Sequence, residues 1–180
     1  VPSSATTAGE IWLVKEYSDD GTDVSVSTEV SITIQNTSPV LTDPTFDVSN
    51  IYNDTTVSCS SSVTDPDETV SIDYEWTLEG TVIASTSTID LSTTSALPLD
   101  ELICAASAED STGALDSTST TVYIENRVPS APSVSIDPSS PQAGQDDLTC
   151  QIDTPSIDVD GETIGYAYSW TVDGIATSYT

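Results

Sequence analysis

Two stretches of this chain decide how it folds: TVSCSSSVTDPDETVSIDYEWTLEG, residues 56–80, and LTCQIDTPSIDVDGETIGYAYSWTVDG, residues 148–174. Both run from a cysteine through an acidic loop and an alternating aromatic segment to a tryptophan and a glycine. Cys150 follows Cys59 by 91 positions, and Trp170 follows Trp76 by 94. A nearly constant offset with small drifts is what loop insertions leave in an internal repeat. The sequence therefore predicts a repeating unit of about 90 residues.

The same period places both ends of the chain inside a unit. The segment VSVSTEVSITIQN, residues 24–36, aligns with LDSTSTTVYIEN, residues 115–126. We therefore predict that residues 1–35 are the C-terminal half of a unit, residues 36–125 a complete unit and residues 126–180 the N-terminal half of another. The two halves together contain 90 residues. Two alternatives follow: the chain is a window of a longer array, or residues 126–180 pair with residues 1–35 of a neighbouring chain.

Short alternating segments predict strands throughout the chain. Apolar and polar residues alternate in TTVSCSSSV, SIDYEWTLEG, ELICAASAED and STTVYIEN, and turn residues separate them. Gly80 and Gly174 supply the positive φ that tight hairpins require. A helical turn is expected only in LSTTSALPLDE, where Pro98 limits its length. The fold class is therefore all-β, with antiparallel sheets.

Several segments of this sequence resemble those of a known family of repeats. NTSPV, residues 36–40, ICAASAEDSTG, residues 103–113, and the stretch at residues 56–80 resemble the Ig-like and polycystic-kidney-disease (PKD) type tandem repeats of large prokaryotic surface proteins. The resemblance covers essentially the whole chain. It implies tandem Ig-like antiparallel β-sandwiches of about 90 residues, with incomplete units at both ends.

The resemblance also assigns roles to the cysteines and tryptophans. The order Cys59, Trp76, Cys104 resembles the immunoglobulin pattern of a tryptophan beside an inter-sheet disulfide, which implies a bond between the two cysteines. Trp12, Trp76 and Trp170 are expected in the core. Cys150 has no matching cysteine, because its partner position falls near Leu13 or Val14. It is either a buried thiol that packs as a small hydrophobe or is bonded to another chain or segment.

The charge of the chain restricts its partners and its location. Thirty acidic residues face only Lys15 and Arg127, giving a formal net charge of −28 with no histidine. This balance disfavours nucleic acid and anionic membranes as partners. Such charge is tolerated where cations screen it, which favours an extracellular or cell-surface location. No apolar run is long enough for direct membrane insertion.

Catalysis is not expected, since the chain lacks histidine and has a single lysine to serve as general base or activated nucleophile. No cofactor is therefore required. Two acidic loops are candidates for Ca²⁺, because alternate carboxylates on a tight turn present several hard oxygens. The other interpretation is ordinary solvated turns. The candidate ligands are Asp65, Asp67 and Glu68 in the first loop and Asp158, Asp160 and Glu162 in the second.

Two further polar features lie on predicted connections. Asn-X-Ser/Thr sequons at Asn36 and Asn53 are candidate glycan acceptors, both expected in exposed positions. The segment EDSTG, residues 109–113, contains Asp110 and is expected only to shape a turn. Proline-rich junctions such as IENRVPSAPSVSIDPSSP predict semi-rigid spacing between successive units.

These observations together predict a structural element of an extracellular surface array or filament. Its partners would be copies of itself or neighbouring repeats, stacked head to tail. The alternative is an adhesin-type module that binds a glycan or a protein through its loops. An exposed aromatic cluster beside a groove would favour the adhesin.

Overall fold

The computed structural model describes residues 1–179 and is all-β. The sequence prediction of this fold class is confirmed. Two short 3-10 helices, Ser3–Ala5 and Leu91–Thr93, accompany the strands, and the second lies where a helical turn was expected. The strands are β1 (Ile11–Glu16), β2 (Thr28–Thr33), β3 (Val40–Leu41), β4 (Thr45–Phe46), β5 (Thr56–Ser60), β6 (Val63–Thr64), β7 (Asp73–Leu78), β8 (Thr81–Ala84), β9 (Thr88–Asp90), β10 (Glu101–Glu109), β11 (Leu115–Tyr123), β12 (Ser133–Asp137), β13 (Thr149–Thr154), β14 (Thr171–Val172) and β15 (Ile175–Ala176).

The chain divides into two compact units. One comprises Val1–Ser49, Thr56–Asp90 and Glu101–Val122; the other comprises Asn50–Thr55, Leu91–Asp100 and Tyr123–Thr180. Within residues 1–179, no helix is long and apolar enough to cross a membrane.

The first unit contains a four-stranded sheet ordered β11-β10-β7-β8 and a three-stranded sheet ordered β4-β5-β9. The Cys59–Cys104 disulfide joins β5 of one sheet to β10 of the other. Trp76, on β7, is fully buried, and its ring stacks on Phe46 of β4 with centroids 5.8 Å apart. Every second residue of β10 is buried, as the alternation of its sequence predicts. The two sheets therefore face each other across an apolar core.

The hairpin after Trp76 is formed as predicted. Glu79 and Gly80 have φ values of 48° and 73°, which define the two-residue turn between β7 and β8. In the second unit, Asp173 and Gly174 repeat this geometry with φ values of 51° and 80° between β14 and β15. The strand pairs also correspond, because Leu78 pairs with Thr81 and Val172 with Ile175.

The antiparallel pairing of the cysteine-containing strand with the strand before it also occurs in both units. Phe46 pairs with Cys59 in the first unit, and Ile136 pairs with Cys150 in the second. The sequence offsets are 90 and 91 residues, as the repeat requires.

The N-terminal hairpin repeats a hydrogen bond found at the end of the predicted complete repeat, residues 36–125, which we call the central copy. The backbone N–H of Ile34 donates to the Glu10 carbonyl at 2.8 Å, and the N–H of Ile124 donates to the Asp100 carbonyl at 3.0 Å. Each donor and each acceptor is shifted by 90 residues. The β1–β2 hairpin is therefore the local counterpart of β10–β11.

Candidate functional site: acidic loops and open strand faces

The second acidic loop holds the most concentrated polar cluster. One carboxylate oxygen from each of Asp158, Asp160 and Glu162 lies within 4.8 Å of the others. Asp158 Oδ1 accepts from the Asp160 N–H at 2.8 Å, which folds the loop back on itself. The convergence of these three carboxylates is the geometry that the Ca²⁺ hypothesis expects.

Arg127 already compensates the charge at the centre of this loop. Its Nε and Nη2 donate to Asp160 Oδ1 at 2.8 and 2.6 Å, and its backbone N–H donates to Oδ2 at 2.6 Å. The Asp160 side chain is fully buried. Burial alone would raise the pKa of Asp160, but the hydrogen bonds from Arg127 outweigh it and the pKa lies below its ordinary value. Because Asp160 is paired with an arginine, this trio is weakened as a metal site.

Arg127 has further contacts in the same unit. Its Nη2 lies 3.1 Å from Asp54 and donates to Asn53 Oδ1 at 3.2 Å, while the guanidinium lies 4.6 Å from the centre of the Tyr52 ring. The hydrogen bonds to Asp160 raise the pKa of Arg127. We define Arg127, Asp160, Asn53, Asp54 and Tyr52 as the arginine clamp. An arginine suits it because the planar guanidinium can donate to two acceptors while its face lies on a ring.

The first acidic loop repeats two hydrogen bonds of the second loop, but within residues 1–179 no lysine or arginine forms an ion pair with it. Asp67 Oδ2 accepts from the Thr37 N–H at 2.6 Å, as Asp160 accepts from Arg127, and Asp65 Oδ1 accepts from the Asp67 N–H at 2.7 Å. Glu68 accepts from both the N–H and the hydroxyl of Ser111 at 2.8 Å. Among residues 1–179, the buried Oδ2 of Asp65 has no hydrogen-bond partner.

Asp65, Asp67 and Glu68 do not form a convergent trio within the part of the chain that the structure describes. The first loop therefore has unpaired charge without the required geometry, whereas the second has convergent oxygens already paired with Arg127. Neither loop fits a complete Ca²⁺ cage as it stands. Calcium binding and ordinary solvated turns both stay open as hypotheses, and titration can distinguish them.

Asp110 does more than shape its turn. It is 6% exposed, and its Oδ2 accepts from the Asn36 side-chain amide at 2.7 Å. Its Oδ1 accepts from the N–H groups of Thr112 and Ala114, both at 2.9 Å, which is the turn-shaping role that the sequence predicts. The Asn36 amide, followed by these other donors, lowers the pKa of Asp110 to about 2.

Both sequon asparagines are half-buried rather than exposed as expected. Asn36 Nδ2 donates to Asp110, and Asn53 Nδ2 donates to the Asp160 carbonyl at 2.8 Å. A glycan is attached at this same nitrogen, so modification would compete with these bonds. The sequence cannot show this, because the partners are 74 and 107 residues away.

The predicted core tryptophans do not share one environment. Trp76 is fully buried, but Trp12 and Trp170 are only half-buried. Trp12 and Trp170, which the resemblance places in the core, are therefore less buried in this chain than Trp76. β1 belongs to a two-stranded sheet, β1-β2, and β14 to another, β14-β15, whereas β7 lies inside a four-stranded sheet.

The counterpart of the buried Cys104 is exposed. Val14 is 60% exposed, whereas Cys104, 90 residues later, is 0% exposed. Val14 lines a shallow apolar depression with Val1, Trp12, Val30 and Ile32. Cys150 is a free, half-buried thiol, and it lines a second depression with Leu148, Tyr168 and Trp170. We call these two surfaces the Val14 face and the Cys150 face.

No family model, curated protein or solved structure matches this chain.

Sequence reasoning missed the arginine clamp altogether. One signal was available, because Arg127 is one of only two cationic side chains in a chain with 30 acidic residues, and it lies at a proline-rich junction. Its counterpart in the preceding copy is Thr37, so the repeat itself gave no indication of a cation at this position.

Proposed function

We propose that this chain is a structural element of an extracellular surface array or filament, built from Ig-like repeats stacked head to tail. The observation that carries the proposal is the recurrence of one junction bond. The Thr37 N–H donates to Asp67, and the Arg127 N–H donates to Asp160, each at 2.6 Å. Each bond ties the first residues of a copy to its own acidic loop. The same hydrogen bond therefore fixes the N-terminal residues of both copies.

The arginine clamp supports a mechanical role. It links the Arg127 junction to the segment Tyr52–Asp54 through ion pairs, a hydrogen bond and a ring contact. A junction held at several points resists bending better than a flexible linker does. A structural element needs such stiffness in order to keep its repeats aligned.

The disulfide and the charge support the proposed location. A Cys59–Cys104 bond persists in an oxidising compartment. A net charge of −28 keeps a repeating chain solvated where salt screens its self-repulsion. Both features suit a surface exposed to a saline medium.

Electron microscopy of the native material tests the proposal. A sandwich of this size spans about 35–40 Å by the usual strand rise, so a filament should show an axial repeat of one or two such lengths. Globular particles without axial order, at the protein's native concentration and salt, would contradict it.

The competing class is an adhesin-type module. The half-buried Trp12 in the apolar depression of the Val14 face is the feature that favours it, because aromatic rings commonly form part of binding sites. Glycan-array binding that is lost in Trp12→Ala, with its melting temperature unchanged, would favour the adhesin over the structural role.

A further inference from the structure

The side-chain amide of Asn53 is held at both of its ends. Its Nδ2 donates to the Asp160 carbonyl at 2.8 Å, and its Oδ1 accepts from Arg127 Nη2 at 3.2 Å. The backbone around it is fixed as well, because the Thr55 N–H donates to the Tyr52 carbonyl at 3.0 Å and the Tyr52 N–H donates to Thr55 Oγ1 at 2.9 Å. Asn53 is therefore a positioned part of the arginine clamp.

The same asparagine begins one of the two sequons, Asn53-Asp54-Thr55. N-glycosylation bonds the anomeric carbon of a sugar to Nδ2, the nitrogen that donates to Asp160. The sugar comes from a lipid-linked oligosaccharide. Its bond to the pyrophosphate oxygen breaks, the lipid pyrophosphate leaves, and one proton is lost from Nδ2. The side chain thereby becomes a secondary amide with a single N–H.

The geometry of a secondary amide conflicts with the clamp. A trans amide places the substituent of its nitrogen on the same side as its carbonyl oxygen. On Asn53 this is the Oδ1 side, to which Arg127 Nη2 donates. The same Nη2 also contacts the carboxylates of Asp54 and Asp160, at 3.1 and 2.6 Å. A sugar bonded to Nδ2 would therefore compete with the guanidinium for this space.

We propose that a glycan on Asn53 and a closed arginine clamp exclude each other, so that modification of this sequon opens the junction at Arg127. The Asp160 side chain is fully buried and is compensated by Arg127. Displacing the guanidinium leaves a buried carboxylate without its forked donors, which is costly. The unmodified junction is stiff and the glycosylated one is loose. This consequence for stiffness rests on the proposed repeat array, whereas the exclusion depends only on the contacts of Asn53.

Asn36 is the matched comparison in the same chain. It is also a half-buried sequon asparagine, and its Nδ2 donates to Asp110 at 2.7 Å. Asn36 and Asp110 belong to the first unit, whereas Asn53 and Arg127 belong to the second. Removing the Arg127 side chain should therefore expose the Asn53 amide and leave the Asn36 amide as it is.

The test is glycosylation of the folded, oxidised full chain by an oligosaccharyltransferase with a lipid-linked oligosaccharide. Peptide mass spectrometry follows occupancy at Asn53 and Asn36, and the unfolded chain is the positive control. Arg127→Ala should raise the initial rate at Asn53 about tenfold, because the parent must first open a clamp that the variant lacks. The rate at Asn36 should not change. A rate at Asn53 that is no faster in Arg127→Ala than in the parent would overturn the proposal.

A second measurement separates opening of the clamp from loss of the fold. Protein glycosylated at Asn53 while unfolded, then refolded and trimmed to one sugar, is compared by calorimetry with unmodified protein, each with and without Arg127→Ala. The substitution should lower the melting temperature of the unmodified protein and leave that of the modified protein nearly unchanged, since the sugar has already opened the clamp. Equal losses in both backgrounds would overturn the proposal, whatever the substitution does to the fold.

Calorimetry and micrographs report on different properties of the chain. Equal calorimetric losses would remove the exclusion at Asn53 and leave an axial repeat in the native material intact. Globular particles without axial order would contradict the array and leave the exclusion intact.

Discussion

The Cys59–Cys104 disulfide should supply a large part of the stability of the first unit. It closes a loop with a sequence separation of 45 residues. The chain-entropy relation gives about 13 cal/mol/K for such a loop, or about 4 kcal/mol at 25 °C. The first unit contains 106 residues, and a domain of this size has a total stability of roughly 5–16 kcal/mol. Reduction therefore removes a substantial fraction of the free energy of unfolding.

The perturbation is reduction of the bond in a Cys150→Ala background, which prevents thiol exchange with the third cysteine. At roughly 4–8 °C per kcal/mol, the melting temperature should fall by about 15–30 °C. Calorimetry of oxidised and reduced protein at equal salt measures this shift. The denaturant m-value should rise on reduction, because the unfolded chain loses its cross-link and exposes more surface.

The control is Cys150→Ala alone, in the oxidised state. Cys150 is unpaired, so this variant should melt within about 2 °C of the parent, consistent with the small cost of changing a half-exposed side chain. A fall of less than about 5 °C on reduction would refute the entropic reasoning. It would mean that the two sheets stay associated through contacts such as the Phe46–Trp76 stack without the cross-link.

Four other expectations follow from the structure. Arg127→Ala should lower the melting temperature of the second unit more than Arg127→Lys does, because lysine keeps the charge beside the buried Asp160 but loses the forked donors; equal effects in calorimetry would contradict the clamp. The pKa of Asp110 is lowered from 3.8 to about 2, so Asp110 contributes stability that is present above pH 3.8 and is lost as the pH falls towards 2. Asn36→Ala should shift this loss of stability to higher pH in acid titrations followed by circular dichroism. An unchanged midpoint would show that Asn36 does not cause the lowered pKa. Leu99→Gly should raise the free energy of unfolding by about 0.5–1 kcal/mol in denaturant titrations. Leu99 has a φ of 72° and is 75% exposed, and the residue 90 positions earlier is Gly9, with a φ of 82°. A lower free energy of unfolding would argue against strain at Leu99. Calcium should raise the melting temperature no more than sodium chloride does at matched ionic strength, and a saturable extra shift would instead establish a specific site.

The sequence predicted the features that depend on local chemistry or on the repeat. The hairpins at Gly80 and Gly174 follow from residues that adopt positive φ, and the burial alternation of β10 follows from its period of two. The arginine clamp could not be predicted in this way. It joins Arg127 to Asn53, 74 residues earlier, and no local pattern encodes such a contact.

The segment at Trp170 shows why strand propensity is insufficient. SIDYEWTLEG and the corresponding TIGYAYSWTVDG have the same alternation, yet the first contains the six-residue strand β7 and the second only the two-residue β14. β7 pairs with both β10 and β8, while β14 pairs with β15 alone. A strand is stabilised by its neighbours, so an identical pattern yields less strand where one neighbour is missing. The same missing neighbour leaves Val14 exposed.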